Sequence, residues 1–167
     1  MKIRGSKNTQ RGAVLVLFTI GMLTILGIAG LALDGSHQML NKARLQSAVD
    51  AAALASAKAL DETATMSEAR DAAQAMFDTN AGNLGNQEMG AANITVTTTF
   101  SANSNPFVAG SYVPGEKGYV RVLATGFSMQ MWLIQLLGAT GKTVVASAVA
   151  GPSPTINYSC NLVPLIV

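Results

Sequence analysis

The sequence predicts an α+β protein. A long N-terminal helix, transmembrane first and amphipathic afterwards, precedes a small extracytoplasmic domain built on an antiparallel sheet, in the order α-α-β-β-α-β. Three observations lead to this reading. Residues 13–33 are apolar and uncharged throughout. Residues 34–60 carry that run onward in strong helix formers, with no proline. Two later segments, 94–100 and 119–124, alternate apolar and polar residues with the period of a half-buried strand. The chain thus divides into a basic cytoplasmic tail (1–12), a membrane span (13–33), an extracytoplasmic domain (34–150) and a proline-containing tail (151–167).

The span reads AVLVLFTIGMLTILGIAGLAL. As a helix it rises about 31 Å, against a hydrocarbon core of about 30 Å. Thr19 and Thr24 can return their hydroxyls to the backbone, and glycine is tolerated in such helices. A buried soluble helix of this length would show a polar stripe, and this one shows none. Lys2, Arg4, Lys7 and Arg11 precede it without an acid, and Asp34 follows it at once. That bias places the N-terminus in the cytoplasm and everything after Leu33 outside, which in a bacterium means an inner-membrane protein with a periplasmic domain. The rival reading is a cleaved signal peptide, with Gly30-Leu31-Ala32 as a small-x-small site. The apolar run exceeds the usual signal length of about 7–15 residues, and small residues are also ordinary in membrane-helix interfaces, which favours a retained anchor.

Past the span, LNKARLQSAVDAAALASAKAL extends the helix to about Leu60. Leu40, Ala43 or Arg44, Ala48, Ala51, Ala52, Ala55 and Ala59 trace a small-residue stripe near the helical period, with Lys42, Gln46, Asp50 and Lys58 off it. An alanine stripe permits close approach of a partner element but offers little area, so the partner must supply bulk. A second helix starts near Thr65, where Thr65-x-x-Glu68 spells a capping box, and Asn80-Ala81-Gly82 stops it. Residues 81–93 read as loop. Strands follow at Ile94–Phe100 and Gly118–Gly126, joined by a long loop containing Asn105-Pro106 and Pro114-Gly115. Phe127–Leu137 is apolar and helix-prone, and Thr143–Ala150 is a third strand.

The chemistry-bearing residues are sparse. His37 is the only histidine and Cys160 the only cysteine. They support neither a metal cluster nor a nucleophile with its base, and no intrachain disulfide is possible. Gly138-Ala-Thr-Gly141-Lys142-Thr143 lacks the spacing of a phosphate-binding loop and leads into a strand. Outside the tail, seven bases face nine acids, a balance of −2 that leaves no basic face for nucleic acid. The expectation is a non-enzymatic chain with no cofactor, no metal and no small-molecule substrate. Asp34 is either a helix-end residue marking the water boundary or a pairing site for a base or an N-terminus on a neighbouring subunit. Asp50 is either a solvated residue or a partner contact. The stretch around Trp132 reads as a sheet-covering helix, or as a membrane or partner contact.

Residues 12–60 resemble the N-terminal region of the TadG-like proteins of the Flp, or tight-adherence, pilus machinery. The resemblance rests on Gly12-Ala13-Val14 opening the span, Asp34 closing it, and Leu45-Gln46-x-Ala48-x-Asp50-Ala51-Ala52-Ala53-Leu54-Ala55 beyond it. Gly118-YVRV, the apolar run ending at Gly138 and the tail from Pro154 to Pro164 fit more loosely. The resemblance implies a bitopic inner-membrane protein, pilin-like in build, that helps assemble or tether pili, with membrane lipid and other pilus-assembly or pilin-like proteins as partners and a homo-oligomer as a further form. Asp34, Leu45, Gln46, Ala48, Asp50, Ala52, Ala55 and Ala59 are then the candidate partner or packing contacts. Arg11-Gly12 also resembles the end of a type IV pilin leader. Leu17, however, stands where such pilins carry glutamate, which argues against a polymerising major pilin and leaves a minor pilin-like subunit open. Many relatives continue into a larger extracytoplasmic domain; this chain stops after NLVPLIV, as a short relative or a truncated form would. A generic membrane-anchored interaction module is the alternative function.

Overall fold

The computed structural model describes residues 11–63, 65–129, 131, 133 and 141–153. Helix α1 spans Arg11–Thr63, 53 residues or about 80 Å, a few residues longer at each end than expected. Across 13–33 every residue but Gly30 is exposed to the surroundings. Its most apolar window has a mean hydropathy of 2.5, and it is the one helix among the described residues long and apolar enough to cross a membrane. Thr19 Oγ1 lies 3.1 Å from the Leu15 carbonyl and 2.9 Å from that of Val16, and Thr24 Oγ1 donates to Ile20 at 2.8 Å. The hydroxyls of this candidate span are therefore satisfied by the helix itself, as an apolar solvent would require.

Beyond the apolar run, α1 buries Asn41, Leu45, Ala48, Val49, Ala52, Ala53, Ser56 and Leu60. This face is rotated from the alanine stripe expected from the sequence. Ala48 and Ala52 lie in it, but Leu40 and Ala43 are exposed, and Arg44, Ala51, Ala55 and Ala59 are only half-buried. Alanine has too little area to orient a helix; Leu45, Val49 and Leu60 do so, because burying a large aliphatic side chain stabilises by about 1.5–3 kcal/mol.

Helix α2, Met66–Ala81, turns back onto α1 and buries Ala69, Ala73, Phe77 and Ala81. Small residues thus meet small residues across the helix pair, and the buried Ser56 Oγ donates to the Ala69 carbonyl at 2.7 Å. Thr65 occupies the N-cap position as the sequence suggests, but the side-chain cap bond of the expected capping box is not made. The Thr65 carbonyl instead accepts the Ala69 N–H at 3.1 Å, the ordinary first bond of the helix. The segment expected to be plain loop contains a turn of 3-10 helix at Leu84–Asn86 and a short helix α3, Gln87–Gly90, whose Met89 is buried.

Three antiparallel strands, β1 (Thr95–Ser101), β2 (Tyr119–Met129) and β3 (Lys142–Ala150), form a sheet in the order β1-β2-β3. One face packs on the helices through Phe100, Val120, Val122, Ala124, Phe127, Val144 and Ala146. The other carries Thr97, Arg121, Val145, Ser147 and Val149 outward. Strand β1 begins one residue later than the Ile-Thr alternation placed it. The third long helix expected from Phe127 is a correction: Phe127, Ser128 and Met129 continue β2 and pair with Val144, Thr143 and Lys142. A register shift between Ala124 and Phe127 accommodates an extra residue, and Gly126 takes a φ of 88° there, a conformation glycine adopts without strain. The bulge resets the alternation, so that Phe127 and Met129 face the core while Ser128 is exposed. Most of the remaining predicted helix lies outside the described residues.

Ala52 is fully buried in this core and Lys58 is exposed, 3.8 Å from Glu62. Ala52→Leu should therefore destabilise the domain by about 1–3 kcal/mol, and Lys58→Ala by about 0.5 kcal/mol or less. Urea unfolding of the detergent-purified chain measures both. Equal midpoints for Ala52→Leu and wild type would mean that the α1 face is not a close-packed contact.

Candidate functional site

The polar residues of α1 gather just past the apolar run, where the domain meets the end of the span. Asp34 is 3% exposed, and its Oδ2 accepts the Leu133 N–H at 3.0 Å. One turn earlier, Leu133 covers Gly30: a Cβ at Gly30 would sit 3.0 Å from the Leu133 Cβ and 3.2 Å from its Cδ1. Leu133 thus meets α1 through an apolar contact, which needs the missing side chain of Gly30, and a hydrogen bond to Asp34. A buried carboxylate is tolerated only when hydrogen-bonded. Within the chain, Asp34 is an acceptor that holds Leu133 to α1.

A second polar group lies one to two turns further on. His37 Nε2 is 2.7 Å from Glu88 Oε1, and the buried Asn41 donates through Nδ2 to Glu88 Oε2 at 2.9 Å. An ionised carboxylate only accepts, so Nε2 carries its hydrogen and points at Glu88. The 3.1 Å approach of Asn41 Nδ2 to the same nitrogen is then a contact between two donors. This cluster fastens α3 to α1.

Gln46 belongs to a third group. Its Nε2 lies 2.8 Å from Asp50 Oδ1 and 3.2 Å from the Ser147 carbonyl of β3. The order Leu45-Gln46-x-Ala48-x-Asp50 thereby acquires a physical division of labour. Leu45 and Ala48 are core, Gln46 ties the helix to an edge strand, and exposed Asp50 holds the Gln46 amide in place. Ala55 and Ala59 lie at the margin of the core, partly accessible.

Sequence reasoning passed over Asn41, Ser56, Glu88 and Leu133, whose partners lie 13 to 99 residues away in the chain. The only available signal was that Asn41 and Ser56 interrupt a buried helix face with polar side chains. Among the described residues no group of three His, Cys, Asp or Glu side chains is placed to hold a metal; Cys160 lies outside them. The arrangement is one of attachments: polar ties that fix a small domain against the helix that carries it. No curated protein and no solved structure matches the chain. Residues 12–75, which cover α1 and most of α2, match the family model described as putative Flp pilus-assembly TadE/G-like.

Proposed function

From a chain whose residues 12–75 match the family model of putative Flp pilus-assembly TadE/G-like proteins, we propose a bitopic inner-membrane component of pilus biogenesis, with its N-terminus in the cytoplasm and its sheet domain in the periplasm. It acts by assembling or anchoring the pilus, or as a minor pilin-like subunit, and performs no catalysis. The observation that carries this reading is the unbroken helix α1. Its first part is apolar and exposed, while its second part is buried under α2 and the sheet. Such a helix transmits position rigidly from the membrane to the domain, and Asp34, His37, Asn41 and Gln46 tie that domain along it. Assembly partners would read the accessible residues of the same helix, Asp50, Ala55 and Ala59 among them.

The test has two arms. A reporter active only outside the cytoplasm, fused after Val167, is expected to be active, and a cytoplasm-only reporter silent; the reverse result overturns the topology. Deleting the gene is expected to remove surface Flp pili while leaving the pilin subunit in the membrane, with restoration by the wild-type chain. Normal piliation in the deletion strain would leave the chain as a membrane-anchored interaction module unrelated to pili. Presence of the chain in sheared filaments would identify a subunit, and its confinement to the membrane an assembly or anchoring component.

A further inference from the structure

Immediately above the apolar run, a groove of about 440 Å³ opens between α1 and the start of β3. Gln38, Met39 and Lys42 line its helix side, and Met129, Lys142 and Val145 its strand side. Two features set it apart from an ordinary surface cleft. Its lips are apolar and open, with Met39 77% and Val145 54% exposed. Its only charges among the described lining residues are the two lysines, both exposed, and neither is in an ion pair among the described residues. Paired cations beside accessible apolar surface match an amphiphilic anion, and the position of the groove narrows the choice.

Lys42 follows Asp34 by eight residues, a rise of about 12 Å. The headgroup layer extends about 5–8 Å beyond the hydrocarbon on each side. Side chains on a helix lean toward its N-terminus, which for α1 means toward the membrane, and a lysine stem can reach several ångströms further. The Lys42 ammonium therefore comes to the level of lipid phosphates, and Gly35 and Met39 stand within the headgroup layer.

We infer that this groove holds the headgroup of an anionic phospholipid from the periplasmic leaflet. The phosphate is held by Lys42 and Lys142, and the glycerol and upper acyl chain lie along Met39 and Val145. The inference rests on the bitopic topology proposed above, which sets the height of the groove. Occupied in this way, the groove would fix the rotation of α1 and the distance of the sheet from the bilayer.

The full chain, purified in a neutral detergent, can be titrated with labelled phosphatidylglycerol and, separately, phosphatidylcholine. Phosphatidylglycerol is expected to bind several-fold more tightly. Each of Lys42→Gln and Lys142→Gln should weaken it by about fivefold, and the two together by about twentyfold. Lys58→Gln, on exposed helix away from the groove, should leave binding unchanged and so controls for general loss of positive charge. Inorganic phosphate in millimolar excess should not compete. Equal binding of the two lipids, or equal loss in Lys58→Gln and the groove variants, overturns the proposal. Competition by inorganic phosphate also overturns it, in favour of a soluble anion. Because binding is read in detergent, these outcomes are independent of the topology reporters, whose failure would remove the bilayer setting while leaving the lipid affinity measurable.

Discussion

Phe127→Ala is expected to lower the stability of the sheet domain by about 3–5 kcal/mol, the usual result of emptying a well-packed aromatic site. Phe127 is 1% exposed and is the largest of the fully buried side chains among the described residues. Its cross-strand partner on β3 is Val144, whose short side chain cannot reach into the space it would leave. Total stabilities run to about 5–15 kcal/mol, so this one substitution removes a large fraction. Ser128→Ala, one residue along and exposed on the other face, should change stability by about 0.5 kcal/mol or less. Urea unfolding of the purified chain, followed by protease sensitivity of the domain, compares the two directly. The contrast also tests the course of β2, because inward and outward positions alternate there with period two on the far side of the bulge. Similar losses at 127 and 128, or no loss at 127, would mean that this segment does not run as the second strand.

Leu23→Arg combined with Ile25→Arg is expected to abolish membrane insertion, whereas either arginine alone should not. The run 13–33 holds six leucines, three isoleucines, two valines and Phe18. At about 0.3–0.6 kcal/mol each, these favour insertion by roughly 4–7 kcal/mol, while an arginine near the helix centre costs about 2.5–3.5 kcal/mol. One arginine leaves the balance favourable; two reverse it. Leu23 and Ile25 are both exposed on α1, so the change falls outside the domain core. Alkaline extraction of membranes separates integral from peripheral protein. Integral behaviour of the double variant would show that residues 13–33 are not the anchor, and loss of insertion with one arginine would show that the span is weaker than its composition suggests.

Much of this fold was legible because its signals are local. The span is declared by an unbroken apolar run, the continuity of α1 by the lack of proline between Asp34 and Leu60, and β1 by the alternation of Ile94, Val96, Thr98 and Phe100 with threonine. Each is a property of neighbouring residues, and the continuous helix and the strand emerged as elements of the structure. The family resemblance was likewise local, carried by the order of Leu45, Gln46 and Asp50. What failed to read correctly depended on residues far apart. Phe127-Ser-Met129 has helix-prone neighbours and no decisive period of its own, and it became strand because Lys142–Val144 offered backbone partners across a bulge that Gly126 could turn.

By itself, then, the sequence determined where the apolar run of α1 begins and ends, which charges flank it, and that a small half-buried sheet follows. Only the tertiary structure decided which face of the alanine-rich helix is buried, since the bulk that orients it comes from β2, β3 and α2 as much as from Leu45 and Val49. It also decided that Asp34 is an internal hydrogen-bond acceptor, that His37 and Asn41 serve Glu88, and that Lys42 and Lys142 share a groove. A side chain's type limits the bonds it can make, but its partner is chosen by packing, and packing joins residues as distant in the chain as Asp34 and Leu133.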